Sequence, residues 1–285
     1  MGKKFIITLI KFTFIIFALW LVFVNSDFST IIAKISSADL VYLGVAVVFL
    51  NLAQIASGFR MRYYFSQQGL FLSRKFSIAL YYIGMFYNNI LPSGIGGDGY
   101  KVFLLKKERQ FPAIDGVKVL VSERANGLLV LLLLLLLFLL FSNYNAYIPT
   151  LAIVILFPTV ILGYFVATHV LFKEHVKHGV CGGGYSFIVQ GFTTLSALFL
   201  LLSLGADEFI LEYMILFLIA SVLGVLPISI GGLGIRELTY LYGEEFLPIN
   251  AELGIAFALC FWCMYLISSF IGVIFIANPT KLAYQ

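Results

Sequence analysis

The sequence predicts an all-α integral membrane protein of about six full spans plus two broken re-entrant helical hairpins, arranged as an inverted repeat. Three observations predict it. Of 285 residues, 61% are hydrophobic and 11% charged, whereas a soluble domain carries about 25% charged residues. The apolar residues come in runs near 20 long, the length that carries a helix across ~30 Å of hydrocarbon at about 1.5 Å per residue. Finally, two glycine-rich segments repeat one another.

Taken in order, the apolar runs fall at 5–24, 40–57, 76–91, 116–141, 147–170, 185–204, 209–226 and 253–277. Helices are the structure expected for each, because lipid offers no partner to backbone N–H and C=O groups. The first run follows Lys3 and Lys4, is too long for the core of a cleaved signal peptide, and reads as a retained anchor. Runs 76–91 and 209–226 differ from the rest. Each ends at a Leu-Pro followed by glycines instead of a charged flank.

Residues 91–101 read Leu-Pro-Ser-Gly-Ile-Gly-Gly-Asp-Gly-Tyr-Lys, and residues 226–236 read Leu-Pro-Ile-Ser-Ile-Gly-Gly-Leu-Gly-Ile-Arg, with seven positions in register. Internal self-similarity of this kind marks a duplicated unit. The chain is expected to divide into inverted-repeat halves, 1–142 and 143–285, within a single transmembrane domain. If both motifs mark re-entrant hairpins, six runs are full spans. One side then collects Lys3, Lys4, Arg60, Arg62, Arg74, Lys75, Lys106, Lys107, Arg109, Lys173, Lys177 and Lys281. The other collects Lys34 with Asp27, Asp39, Asp207, Glu244, Glu245 and Glu252. The positive-inside rule makes the first side, with both termini, cytoplasmic. Three full spans in the first half make the second half begin from the opposite face, hence the inversion.

The motifs also suggest chemistry. Pro92 and Pro227 stop the incoming helix, and Gly96, Gly97, Gly231 and Gly232 permit a tight turn. A new helix starting near Asp98 and near Leu233 would point N–H groups and a dipole end at the break, favouring an anion. Lys101 and Arg236, at matching positions, add full charges. Glu123 and Arg124 lie inside an apolar run, where each bare charge costs about 2.5–3.5 kcal/mol on insertion scales. Arg124 is expected to face a cavity shared with Lys101 and Arg236. Glu123 is expected to pair with a base such as Lys101 or Arg236.

Asp98 and Glu237 are read first as ion-pair partners of Lys101, Arg236 or Arg124, with cation coupling or proton relay as alternatives. Arg60 and Arg62 read as cytoplasmic anchors, with headgroup contact as the sharper alternative for Arg60. Asn88 and Asn89 are placed to satisfy backbone groups freed by Pro92.

Other chemistries find little support. The net charge of +4 is spread among short connections, which does not point to a nucleic-acid partner. Three cysteines, two of them inside an apolar run, make packing thiols and no disulfide framework. His169, His175 and His178 lack companions at metal-ligand spacing and read as solvated loop residues. No Gly-Lys-Ser/Thr follows the glycines, and no hydrolase elbow is present. No metal, cofactor or catalytic residue is therefore assigned.

Arg-x-Arg at 60–62, Asn-x-x-Pro-x-x-x-Gly-Gly-Asp at 89–98, the acid–Arg pair 123–124 and Pro-x-x-x-Gly-Gly-x-Gly-x-Arg-Glu at 227–237 together resemble the lysylphosphatidylglycerol synthase transmembrane-region family. That family is also described as flippase-like, and the resemblance covers nearly the whole chain. Glu123 departs from a pattern that favours Asp, with the charge retained. In the best-known members this region is joined to a soluble aminoacyl-transferase domain, for which this chain has no counterpart. It resembles the stand-alone branch, some of whose members are linked to polyprenyl-linked glycan pathways.

The expected function is a lipid flippase-like transporter of the cytoplasmic membrane, binding the phosphate of an anionic phospholipid or polyprenyl-phosphate lipid at the two broken helices. The residues expected to bind are Arg60, Asn89, Gly96, Gly97, Asp98, Lys101, Glu123, Arg124, Gly231, Gly232, Arg236 and Glu237. The alternatives are a membrane-embedded transferase or phosphohydrolase acting on a polyprenyl-phosphate carrier, and a non-catalytic partner presenting lipid to an enzyme of lipid or glycan synthesis.

Overall fold

A computed structural model describes residues 2–90, 96–142, 149–171, 179–225, 229 and 231–276. The breaks at Pro92 and Pro227, together with His175, His178, Lys173, Lys177 and Lys281, lie outside these residues. Within them the chain is all helix and turn. In order the helices are α1 Gly2–Asn25, α2 Phe28–Ser36, α3 Leu40–Ser66, α4 Arg74–Ile90, α5 Gly96–Arg109 and α6 Ala113–Phe141, followed by α7 Thr150–Leu171, α8 Gly179–Ser203, α9 Ile210–Leu223, α10 Ile235–Gly243, α11 Ala251–Ser269 and α12 Ile271–Ile276.

Four single helices, α3, α6, α7 and α8, and the run Ala251–Ile276 formed by α11 and α12 are long and apolar enough to cross a membrane. The α1–α2 pair makes a sixth span if counted as one, although it bends by 94°. Large apolar side chains stand exposed along these helices, among them Trp20, Phe141, Leu162, Val170, Ile267 and Ile274. Water does not tolerate apolar exposure on this scale, but lipid does. The protein is a multi-pass membrane protein.

Helix α2 has no counterpart in the apolar runs. Asp27 creates it: its carboxylate accepts from the backbone N–H of Ser29 and the hydroxyls of Ser29 and Thr30. Those donors, Thr30 foremost, hold the Asp27 carboxyl down at about 2, because each stabilises the ionised form. Asp39 caps α3 in the same manner, through the N–H groups of Val41 and Tyr42.

The two short helices after the glycine motifs fold back on their predecessors. Asn88 Oδ1 accepts from Gly97 N at 2.9 Å, a Cβ on Gly97 or on Gly84 would meet the opposite helix, and Lys101 Nζ lies over the Tyr81 ring at 4.4 Å. Contacts that climb α5 while descending α4 define an antiparallel hairpin. In the other pair, Leu223 lines one hollow with Ile235 and Leu238, while Gly243 abuts Leu216. These facts make α9–α10 a hairpin too.

Two long helices form the spine. Asp39 N donates to Ser203 O, Ser196 Oγ to Ala46 O, and Arg60 Nη1 to Ser186 Oγ, so α3 and α8 run antiparallel along their whole length. Around them the main contacts survive an exchange of labels. When α3, α4, α5 and α6 are swapped with α8, α9, α10 and α11, each main contact among these helices maps onto another: α3–α4 onto α8–α9, α5–α6 onto α10–α11, α6–α9 onto α11–α4. The larger apolar core, with Tyr213, Phe217, Tyr240, Phe257 and Phe261, comes mainly from the second half, joined by Ala46, Leu50 and Leu131 of the first. A smaller one, with Met61, Phe65, Phe76 and Leu105, belongs to the first.

Candidate functional site

Five charged side chains gather where α3, α5 and α6 meet. Arg60, predicted as an anchor at a helix end, is instead 6% exposed, because α3 continues to Ser66 and buries Met61, Tyr64 and Phe65. Its Nε and Nη2 both donate to Glu123 Oε1 at 3.1 Å, and its Nη1 to Ser186 Oγ at 3.1 Å. The predicted partners of Glu123, Lys101 and Arg236, are therefore replaced by Arg60. A guanidinium presents several parallel donors to one carboxylate, and its planar fork suits a buried pair better than an ammonium does.

Asp98 opens α5 and holds two cations. Its Oδ1 accepts from Lys101 Nζ at 3.1 Å, and its Oδ2 from Arg124 Nε at 2.5 Å. The expected pairing of Asp98 with these bases is what the geometry has. Lys101 sits one helical turn beyond Asp98, so α5 itself sets that contact. Arg124 comes from α6, and its side chain is 41% exposed while Lys101 is closed off. Only its Nε is engaged by an acceptor among the described residues, which leaves the two Nη groups free to donate. Three cations and two carboxylates give the group one excess positive charge.

These residues line a cavity of about 140 Å³ together with Tyr81, Asn88, Leu120 and Tyr265, with room for several water molecules. Gly97 makes the cavity possible. A Cβ there would lie 1.8 Å from Gly84 O, so any other residue would drive α5 off α4. Gly96 begins the same helix and is partly buried.

The second hairpin has a different polar group. Gly231, Gly232 and Gly234 have φ of 62°, 83° and 87°, the left-handed region that favours glycine. Asn89 and the Trp262 indole close on Gly231, and the Arg236 Nε closes on Gly232. Glu237 accepts from Gly234 N at 2.6 Å through Oε2, and Arg236 lies over the Phe261 ring at 4.8 Å. Neither makes the expected ion pair.

Five side chains here have buried polar atoms with no hydrogen-bond partner among the described residues: both amide atoms of Asn89, Ser229 Oγ, Arg236 Nε and Nη1, Glu237 Oε1 and Trp262 Nε1. Such groups are few in a native structure and call for a ligand, water or ion. Most of them are donors. Ser229 and Trp262 were not among the sequence-predicted residues; Ser229 could have been found as a hydroxyl inside the second motif, but nothing in the sequence marks Trp262.

The structure thus separates residues that were expected together. Arg124 and Lys101 share the first cavity, while Arg236 is not among the residues lining it. The groups remain neighbours through α11, where Tyr265 of the first lies one turn beyond Phe261 and Trp262 of the second. Asn89, at the end of α4, crosses from the first hairpin to the turn of the second.

Residues 8–272 match the family described as Lysylphosphatidylglycerol synthase TM region. No curated protein matches the chain.

Proposed function

Because the chain belongs to the lysylphosphatidylglycerol synthase TM region family, we propose that it moves an anionic phospholipid or polyprenyl-phosphate lipid across the cytoplasmic membrane, gripping the phosphate between its two hairpins. The observation that carries this reading is the Asp98–Lys101–Arg124 group, one positive charge in excess and with a half-exposed guanidinium. A phosphate leaving water must have its lost hydration replaced by charged donors. Arg124 offers that replacement at the mouth of a polar cavity, and the donor-rich group around Arg236 offers a second station beyond it.

The architecture supports a transporter. An antiparallel α3–α8 spine, with contacts that survive exchange of the two halves, is what an inverted repeat produces. In that arrangement the hairpins dip in from opposite faces and both termini are cytoplasmic, an orientation that the distribution of Lys and Arg supports. The sequence carries no nucleotide-binding motif, so movement would follow a gradient or a partner's work.

The test is reconstitution of the purified chain in phosphatidylglycerol-containing vesicles with a fluorescent headgroup-intact phospholipid, following its loss from the outer leaflet. Arg124→Gln should abolish protein-dependent movement. Arg124→Lys should restore only part of it, since an ammonium lacks the bidentate fork. Movement by Arg124→Gln at the parent rate would remove the phosphate grip from consideration, and a new chemical species formed from the lipid would favour an enzyme.

A further inference from the structure

Beside the polar cavity lies a second hollow of opposite character. It measures about 190 Å³ and is lined by Asp98, Gly99, Val102, Val117, Leu120, Val121 and Arg124. Apart from the two charged residues its walls are aliphatic or glycine. Its floor, Val102 and Leu120, is buried, whereas its outer lip, Val117 and Val121, is 52% and 42% exposed. The hollow therefore opens sideways between α5 and α6, through an exposed apolar surface.

Three residues, Asp98, Leu120 and Arg124, line both hollows. The partition between an apolar chamber open to lipid and a polar chamber in the interior is thus made of one leucine and one ion pair. A molecule filling both chambers must be amphipathic, with its anionic part at Arg124 and its hydrocarbon directed outward between the helices. A free phosphate would use only the inner chamber, and a hydrocarbon alone would gain nothing from the open Nη donors.

We propose that the α5–α6 cleft is the acyl-chain site of the transported lipid, a lateral portal in which the hydrocarbon rests while its phosphate engages Arg124. This rests on the headgroup reading above and adds the place where the lipid enters and leaves. Gly99 keeps the portal open. It lines the hollow, and a Cβ built on it meets no atom within 4 Å, so none of the described residues fills the space. A chain lying there would bury apolar surface while leaving its distal end in the bilayer.

The experiment uses the full chain in vesicles containing phosphatidylglycerol with a photoreactive diazirine in one acyl chain. Illumination followed by peptide mass spectrometry should place adducts on α5 and α6, at Val102, Val117 and Val121. Gly99→Leu should eliminate those adducts and protein-dependent lipid movement together. A helical Gly-to-Leu change into open space favours the helix, so the variant should fold, and its melting in detergent checks this. Val121→Trp, at the outer lip, provides a second closure independent of the motif. Adducts confined to other helices would overturn the portal. So would Gly99→Leu and Val121→Trp moving lipid at the parent rate while Arg124→Gln does not, an outcome that leaves the headgroup reading standing. If all three variants move lipid normally, the headgroup reading fails and the portal fails with it.

Discussion

The two hairpins use one backbone device and opposite charge arrangements. Both place a Leu-Pro before a glycine pair and a cation five residues after the first of those glycines, yet the first motif has Asp98 where the second has Leu233. Asp98 therefore pairs with both Lys101 and Arg124. Arg236 makes no such pair among the described residues; there its Nε and Nη1 are buried without a hydrogen-bond partner, and the guanidinium lies over Phe261. Glycine also serves different ends. In the first hairpin Gly97 permits close approach of two helices, and in the second Gly231 and Gly232 permit positive φ. The difference teaches that one glycine motif can carry cations neutralised within the fold while its counterpart carries a cation with no ion pair among the described residues.

The sharpest way to break that comparison is Asp98→Asn. It removes the counter-charge of two cations, and breaking a buried pair costs roughly 3–5 kcal/mol because an uncompensated charge remains. The melting temperature in detergent should fall well below the parent's. An unchanged melting curve would mean that Asp98 is not what holds the first cluster together.

A smaller loss is expected for Gly97→Ala, since separating two helix backbones by the width of a methyl is overpacking, typically about 1–3 kcal/mol. Double electron–electron resonance between labels at Phe86 and Phe103 should report the α4–α5 separation increasing. No change in distance would show that the close approach is not required.

The smallest effect on stability belongs to Arg236→Gln. Because the arginine has no ion-pair partner among the described residues, its removal should leave stability within about 1 kcal/mol of the parent or raise it. Retention of phosphatidylglycerol, measured by mass spectrometry of the purified protein, should nevertheless drop. A variant that is strongly destabilised but binds lipid normally would reverse the assignment and make Arg236 structural.

Much of this arrangement was legible in the residues, for identifiable reasons. Long apolar runs have no alternative to helix in lipid, so the spans were readable by length. The hairpins were readable because Pro and paired Gly have backbone requirements that do not depend on distant neighbours. Helix α2 escaped notice because its signal is a cap, Asp27 with Ser29 and Thr30, and not a hydrophobic run. The Arg60–Glu123 pair escaped because its members lie 63 positions apart and the apolar run 40–57 ends before Arg60. Met61, Tyr64 and Phe65 continue the buried face of α3 past that point, and their spacing was the available clue. The separation of Arg236 from Lys101 could not be read from the motif, which fixes register but not which cavity a side chain enters.

One feature of the first cavity bears on how the molecule is assembled. Nine of its ten lining residues, from Arg60 to Arg124, come from α3, α4, α5 and α6, and the tenth, Tyr265, comes from α11. Helix α4 is also held by α12, where a Cβ on Gly272 would lie 2.3 Å from Tyr82 O. During synthesis the N-terminal helices reach the bilayer first. The ionic cluster must therefore wait, incompletely walled, until the last two described helices have been inserted, and a ribosome stalled before α11 would leave in the membrane a first half whose charges lack their final cover.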